Sequence, residues 1–350
     1  MKKFILWSLA IIITLGAAYY QRKTGPTYPK SVKIDLNNKE YNLKLLRSLG
    51  LDERPEIKLH ITDRNIKARL YYKRFRTADE YEFAEFIYKE YPVESFVMNK
   101  VFKITHESGY FAAIPQQPPA GKLQYYIELT DSAGTRSLFR ENPVVIRFKG
   151  AVPASILTPH IIFMFLAMLF STLAGLMSLA GHPQYRKYSF WTLMLLIAGG
   201  MILGPIVQKH AFGELWTGIP FGWDLTDNKT LIALIFWIIA VYMNNKKKRP
   251  FYAALAASVL LLVYSIPHSL FGSELDFETG QVIQGLIIMI PSNIKNFIIC
   301  MQHSPVQTVY LIENVNYRGC STTDNNQSLL QDDKCRSDIQ EYTSGSAGRM

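Results

Sequence analysis

Hydrophobic residues are concentrated in five long runs that are nearly free of charge. The runs cover residues 4–18, 156–180, 190–207, 231–243 and 251–266. Runs that approach ~20 residues are typical of helices that cross a lipid bilayer, and shorter runs complete a span with flanking residues. The pattern therefore predicts a signal peptide or anchor helix within residues 1–24, followed by four transmembrane helices. The predicted transmembrane helices are residues 156–180, 189–207, 230–244 and 251–267.

Residues 30–150, between the first two runs, follow a different pattern. Seven short stretches alternate apolar and polar positions, are rich in Tyr, Ile, Val and Phe, and are separated by turn residues. Seven short strands in ~120 residues predict an all-β sandwich. The expected fold class is a multi-domain membrane protein with a signal anchor, a β-sandwich at 25–150 and an all-α bundle of four transmembrane helices at 151–280.

The positive charge is confined to particular loops. The chain carries a formal net charge of +10, and its clearest basic block is the run from Lys246 to Arg249 between two apolar runs. Arg186 and Lys187 occupy another short loop. Positive residues in short loops mark the cytoplasmic side of a membrane, so this charge indicates topology and does not favour a nucleic-acid partner. We expect a bacterial cytoplasmic membrane protein with the β domain and residues 209–230 outside.

The C-terminal segment, residues 281–350, changes to patchy and then polar composition. It is predicted to be an amphipathic or disordered tail, with a further membrane span as the alternative. The three cysteines of the chain, Cys300, Cys320 and Cys335, all lie here. Their spacing matches no zinc pattern, and the body of the chain has no disulfide framework.

The connector at residues 209–230 is unusually rich in aromatic and acidic residues. The predicted topology brings His160, His210 and His268 to the same outer membrane boundary, each from a different helix end. Imidazoles held by separate helices can converge on a transition metal or a haem iron, and Glu214 of the connector is a further candidate ligand. The sequence therefore predicts a metal or haem site on the outer face.

The connector also has a simpler interpretation. Trp216 and Trp223 fit an aromatic belt at the membrane interface, and the glycines and the proline of the connector fit ordinary turns. Asp227 would then cap a helix that begins near Thr230.

Residues 212–237 resemble the tryptophan-rich WWD segment of haem-handling membrane proteins of cytochrome c assembly. Trp216, Trp223 and Asp224 match the loop signature, and Trp237 follows in the next helix. In that family an external aromatic loop presents a flat surface to haem, and histidines from flanking helix ends approach the iron. The resemblance implies that Trp216, Trp223 and Asp224 bind the cofactor, with His160 and His268 as the external histidines.

A second resemblance concerns the β region. Residues 121–134, with their hairpin turn, resemble the late hairpin of fibronectin-type or immunoglobulin-like domains of exported bacterial proteins. This implies a fold and no particular chemistry.

Two functions are compatible with these features. The leading hypothesis is an extracytoplasmic haem- or metal-binding face that serves envelope redox chemistry or cofactor assembly. The alternative is a non-enzymatic envelope anchor whose β-sandwich binds a protein or glycan partner. The predicted spans contain no Asp, Glu, Lys or Arg, which disfavours a pump or ion transporter.

Overall fold

The strands and helices of this protein occupy separate parts of the chain. The computed structural model describes residues 2–92, 103, 106–267 and 273–283. The helices are α1 (Lys2–Thr24), α2 (Ala154–Leu179), α3 (Tyr185–Phe212), α4 (Leu225–Lys246) and α5 (Pro250–Ser265). The strands are β1 (Lys30–Leu36), β2 (Lys39–Leu45), β3 (Ser48–Gly50), β4 (Glu56–Leu59), β5 (Lys67–Arg74), β6 (Glu82–Glu85), β7 (Ile87–Pro92), β8 (His106–Ala113), β9 (Lys122–Asp131), β10 (Gly134–Leu138), β11 (Val144–Lys149), β12 (Glu274–Leu275) and β13 (Val282–Ile283).

The predicted β region is confirmed as a set of sheets around one apolar core. A six-stranded sheet has the order β3-β11-β9-β5-β6, with β10 also paired to β9. A three-stranded sheet has the order β4-β8-β7, and β1 and β2 form a hairpin. Side chains from all three, such as Leu43, Ile57 and Tyr125, belong to the same buried cluster. The alternating apolar positions of each strand form this core.

Two local features of the β region differ from the sequence expectation. The β1–β2 hairpin turns at Asn37 and Asn38, which have φ values of 47° and 63°. Asparagine tolerates this left-handed conformation, so the Asn-Asn pair was a usable turn signal. One of the seven alternating stretches that predict strands covers residues 81–88. It divides at the buried Phe86 into β6 and β7, which join different sheets.

Four helices, α1 to α4, are long and apolar enough to cross a membrane, whereas α5 has 16 residues and is shorter. These helices confirm the predicted apolar segments and suggest a membrane protein. Both α3 and α4 extend beyond the predicted spans, because polar residues continue the helix at its ends. As a result Asp227 and Lys229, expected in the connector, lie within the first turns of α4 and are buried.

Small residues allow the helices to approach closely. A Cβ added at Gly175 of α2 would lie 2.6 Å from the Cβ of Ala257 in α5. The middle of α3, Leu196–Leu203, is π-helical, and a Cβ at its Gly200 would lie 2.8 Å from Cγ2 of Thr230. Close backbone approach at small residues is the usual basis of helix packing in membranes, and π-helical turns often mark functional sites.

Helix α1 packs against the other helices. Ala10 and Thr14 are buried, and the ring of Trp7 meets Phe170 of α2 edge-on. Near its other end, Gln21 Nε2 donates a hydrogen bond to the carbonyl oxygen of Tyr264 (2.9 Å). The N-terminal helix is therefore a fifth member of the bundle.

The two ends of the bundle differ in character. At one end the basic loops meet, because Tyr185 donates to Asn244 (2.7 Å) and Arg186 donates to the carbonyl oxygen of Asn245. At the other end of α3, the backbone N–H of Gly150 donates to the carbonyl oxygen of Ala211 (3.0 Å). The β domain therefore lies at the end of the bundle away from the basic loops.

Candidate functional site

The connector between α3 and α4 is held rigidly by polar side chains of the first turn of α4. Asp224 is the N-cap, and its Oδ1 accepts from the backbone N–H groups of Thr226 and Asp227 (2.7 and 3.2 Å). Asp227 Oδ2 accepts from the N–H of Thr217 (2.7 Å), and Asn228 Oδ1 accepts from the N–H of Ile219 (2.7 Å). The helix thus begins earlier than the expected Thr230, and Asp224 is the capping residue in place of Asp227.

The outward side of the connector is apolar. Leu215, Ile219, Phe221 and Trp223 are exposed, and Phe221 reaches 70%. Trp216 is partly buried and donates from Nε1 to the carbonyl oxygen of Ile219 (3.2 Å). Asp224 and Asp227 are buried, whereas Leu215, Ile219, Phe221 and Trp223 face outward, so the connector is ordered and presents an apolar and aromatic surface.

Beneath the connector lies a cavity of about 130 Å³ between α2, α3 and α4. We call it the junction cavity. Its polar lining consists of His160, Gln208, Asp224, Thr226, Asp227, Thr230 and Ser273. Met164, Val207 and Phe212 supply apolar walls.

His160 projects from α2 into this lining in a defined orientation. Its Nδ1 lies 2.9 Å from the carbonyl oxygen of Gly199 in the π-helical segment of α3. A carbonyl oxygen only accepts, so Nδ1 carries the proton and donates. The neutral ring therefore has an unprotonated Nε2.

The other residues predicted for the site are dispersed. His210 and Glu214 are exposed and do not line the junction cavity. His268 lies outside the described residues. Of the six predicted residues that the structure describes, only His160 and Asp224 line the same cavity, while Trp223 remains on the surface.

A haem does not fit the junction cavity. An apolar cavity of about 150 Å³ admits a single benzene ring, and a porphyrin is several times larger. Among the described residues no group of three or more His, Cys, Asp or Glu side chains is placed to hold a metal ion. Haem or metal binding therefore stays a prediction, and within the described residues the cavity does not supply such a site.

Charged residues near the cavity join the β domain to the bundle. Arg147 of β11 is buried, its guanidinium lies 5.1 Å from the ring centroid of Phe212, and it donates to the carbonyl oxygen of Ser273. Lys122 of β9 forms an ion pair with Glu274 (2.6 Å) in the segment that returns after α5. Since 152 residues separate these partners, no local pattern predicts the pair.

Burial changes the acid–base properties of these cations. Loss of water lowers the pKa of Arg147 to about 10, with the carboxylates of Asp224 and Glu274 opposing the change. Burial also lowers the pKa of Lys122, and the positive charge of Arg147 adds to this effect. Both cations are therefore costly to bury and depend on Glu274 and Asp224 for compensation.

A second surface feature lies on the outer side of the six-stranded sheet. Tyr71 and Tyr126 are cross-strand neighbours whose rings stack at 4.7 Å, and Tyr81 meets Tyr126 edge-on at 5.1 Å. Phe83 pairs with Tyr71 and is 60% exposed. We call Tyr71, Tyr81, Phe83 and Tyr126 the aromatic face.

Cations border the aromatic face. The guanidinium of Arg69 lies 5.6 Å from the ring centroid of Phe83, and that of Arg140 lies 5.9 Å from Tyr126. Both arginines also have carboxylate partners, Glu85 and Glu128. The alternation of apolar and polar residues in β5, β6 and β9 predicts which side chains lie on the outer side of the sheet. Which of these side chains become neighbours depends on the register between strands that are distant in sequence.

No family model, curated protein or solved structure matches this chain. No relative therefore adds support to the haem-loop resemblance or to the immunoglobulin-like resemblance.

The ion pair between Lys122 and Glu274 generates a prediction about stability. Glu274→Gln keeps the side-chain shape but leaves the ammonium of Lys122 buried without a counter-charge. Removing one partner of a buried pair costs about 3–5 kcal/mol. We expect a large fall in the thermal unfolding midpoint of the purified protein, together with faster proteolysis at the junction between the β domain and the bundle.

Glu278→Gln is the matched control, because Glu278 is exposed four residues further along the same segment. It should leave both measurements unchanged. Equal behaviour of the two variants would show that the ion pair does not hold the junction.

Proposed function

We propose that this chain is an integral protein of a bacterial cytoplasmic membrane whose helices anchor an extracytoplasmic β-sandwich. The proposed role of the β-sandwich is to bind a protein partner through the aromatic face, without catalysis. The observation that carries this proposal is the aromatic face itself, a cluster of stacked rings bordered by arginines on the solvent side of a sheet.

The membrane assignment is supported by the two ends of the bundle. The basic residues Arg186 and Lys246–Arg249 lie at one end, and the β domain adjoins the other. Positive loops face the cytoplasm, so the β domain would face outward. The contacts of α1 with α2 and α5 favour an uncleaved anchor over a removed signal peptide. The sandwich assignment is supported by the single core that the six-stranded and three-stranded sheets share.

A binding role explains the composition of the aromatic face. Within the described part of residues 30–150, Phe83 and Ile87 are the large apolar side chains that remain exposed, and Phe83 adjoins the ring of Tyr71 at 6.1 Å. Exposed apolar residues that cluster mark interaction surfaces more often than scattered ones do. Tyr and Arg are enriched among the residues that dominate protein–protein affinity, and flanking carboxylates supply orientation.

A protein partner fits this surface better than a glycan. Sugars stack on the open flat face of an aromatic ring. Here one face of Tyr71 is covered by Tyr126, and Tyr126 is buried. The exposed parts of this surface include the side chain of Phe83 and the guanidinium groups of Arg69 and Arg140, which suit the mixed polar and apolar surface of a protein.

Photo-crosslinking in the native cell tests the partner proposal. The photoreactive residue p-benzoylphenylalanine at position 83 should form adducts with a protein, whereas the same residue at the exposed position 44 on β2 should form none. Arg69→Glu should reduce the adduct yield about tenfold or more, because it reverses a charge within the contact. Lys33→Glu, on the hairpin, is the charge-matched control.

Two results would contradict the proposal. The first is equal adduct formation at positions 83 and 44. The second is an adduct at position 83 that consists of polysaccharide, which would assign the face to a glycan.

Topology is tested by cysteine labelling after replacement of Cys300, Cys320 and Cys335 by serine. Ala133→Cys, in the β9–β10 turn, should react with a membrane-impermeant maleimide on intact spheroplasts. Lys247→Cys, between α4 and α5, should react only after the membrane is broken. The opposite labelling pattern would invert the proposed orientation.

A second candidate function is haem binding on the outer surface of the connector. Phe221 and Trp223 are exposed there, and the exposed His210 lies in the last turn of α3. If this candidate is right, the full chain purified from haem-replete cells has a Soret absorption band that His210→Ala removes. His182→Ala, at the basic end of the bundle, should retain the band, and a preparation without any band would reject haem binding.

A further inference from the structure

The junction cavity presents hydrogen-bond acceptors. His160 gives its Nδ1 proton to Gly199, which leaves the lone pair of Nε2 unused by the described residues. Thr230 gives its hydroxyl proton to the carbonyl oxygen of Thr226 (2.9 Å), so its oxygen can only accept a further bond. Both side chains line the cavity. A ligand that fits these groups must supply the protons.

Asp224 points to the same chemistry from a different observation. Its side chain lines the cavity and is only 5% exposed. Oδ1 is used to cap α4, but Oδ2 accepts no hydrogen bond from the described residues. Oδ2 is not one of the fully enclosed side-chain atoms that lack a partner, so it stays accessible from the cavity and can accept a hydrogen bond there. A donor in the cavity would complete the coordination of Asp224.

The charges around the cavity are unevenly placed. Arg147 and Lys229 act on Asp224, but neither lines the cavity, and Lys229 donates to the carbonyl oxygen of Ile266 (2.9 Å). Asp227, in contrast, has the carboxylate of Asp224 as its charged neighbour and no described cation acting on it. Asp227 therefore lacks a counter-charge among the described residues, and a positive ligand beside it would relieve the repulsion between the two carboxylates.

Size and wall chemistry restrict the ligand further. A cavity of about 130 Å³ holds roughly one benzene-sized molecule. Met164, Val207 and Phe212 provide apolar parts of the lining in addition to the acceptors. An ammonium group donates three hydrogen bonds and needs no set of metal ligands, which the described residues do not provide.

We infer that the junction cavity is a binding site for a small primary alkylammonium ion. The ammonium head is bound by Asp224, Asp227 and His160, and the short alkyl chain lies against Met164 and Val207. The site is separate from the aromatic face, so it does not depend on partner binding by the β domain.

Thermal unfolding of the purified full chain in detergent tests this site. Propylammonium chloride is compared with sodium chloride and tetramethylammonium chloride at equal ionic strength. A ligand that binds only the folded state raises the unfolding midpoint, and at a large excess over its dissociation constant a rise of about 4 °C or more is expected. Sodium and tetramethylammonium should give no comparable rise, because the first lacks donors and the second lacks N–H groups.

Two variants separate binding from folding. Asp224→Asn keeps the shape and a good helix cap but turns a cavity-facing acceptor into a donor. Gly204→Ala adds a methyl group to the cavity wall at ordinary contact distances, 3.5 Å from the oxygen of Gly199 and 3.8 Å from Cε1 of His160. Each should remove at least half of the propylammonium shift. Gly16→Ala is the matched control, since nothing lies within 4 Å of its new methyl group.

The inference is overturned by any of three results. One is the absence of a propylammonium shift in the unmodified protein. Another is an equal shift with sodium or tetramethylammonium, which would indicate a general salt effect. The last is a full shift in Gly204→Ala, a variant that alters no hydrogen bond and is expected to fold even if Asp224→Asn does not.

Discussion

The arrangement of this molecule depends on charges buried where the β domain meets the helices. Arg147 and Glu274 are buried, and the side chain of Lys122 is mostly buried. Such burial is tolerated only when counter-charges and hydrogen-bond partners are in place. Those partners come from three sources: strands β9 and β11, the last turn of α3, and the segment that returns after α5. The charges therefore fix the β domain against one end of the bundle, and the aromatic face and the connector acquire a fixed relation to the helices.

The connector between α3 and α4 shows how polar and apolar residues divide their roles. Its richness in aromatic and acidic residues suggested a binding loop. Asp224 and Asp227 turn inward, where Asp224 caps α4 and Asp227 holds the backbone of the connector, whereas Glu214 is exposed. Phe221 and Trp223 turn outward, whereas Trp216 is partly buried and Phe212 lines the junction cavity. One carboxylate oxygen of Asp224 is left facing the junction cavity, so the same residue serves helix initiation and the cavity.

Several parts of the molecule were predictable from local patterns. The apolar runs identified the helices, and alternation identified most strands, because both signals depend only on neighbouring residues. The start of α4 was placed too late, since a helix can continue through Asp227 and Lys229 when tertiary partners satisfy them. The division of residues 81–88 into two strands at Phe86 was missed, because the alternation of apolar and polar residues continues where the chain passes from one sheet to the other. Of the predicted site residues, His160 and Asp224 line one cavity, whereas His210 and Glu214 lie on the surface. The sequence predicts which residues lie at the same depth in the membrane. It does not predict which of their side chains face a common site.

Local order along the chain was enough to establish a β region followed by apolar helices, with positive loops at alternating connections. These features follow from the periodicity of side chains and from the length of the apolar runs, and both are properties of short segments. The meeting of Lys122 with Glu274, the stacking of Tyr71 on Tyr126 and the enclosure of the junction cavity emerged only from the folded chain. Each joins residues that are distant in sequence, and their contact depends on strand register and helix rotation, which the packing of the whole core sets.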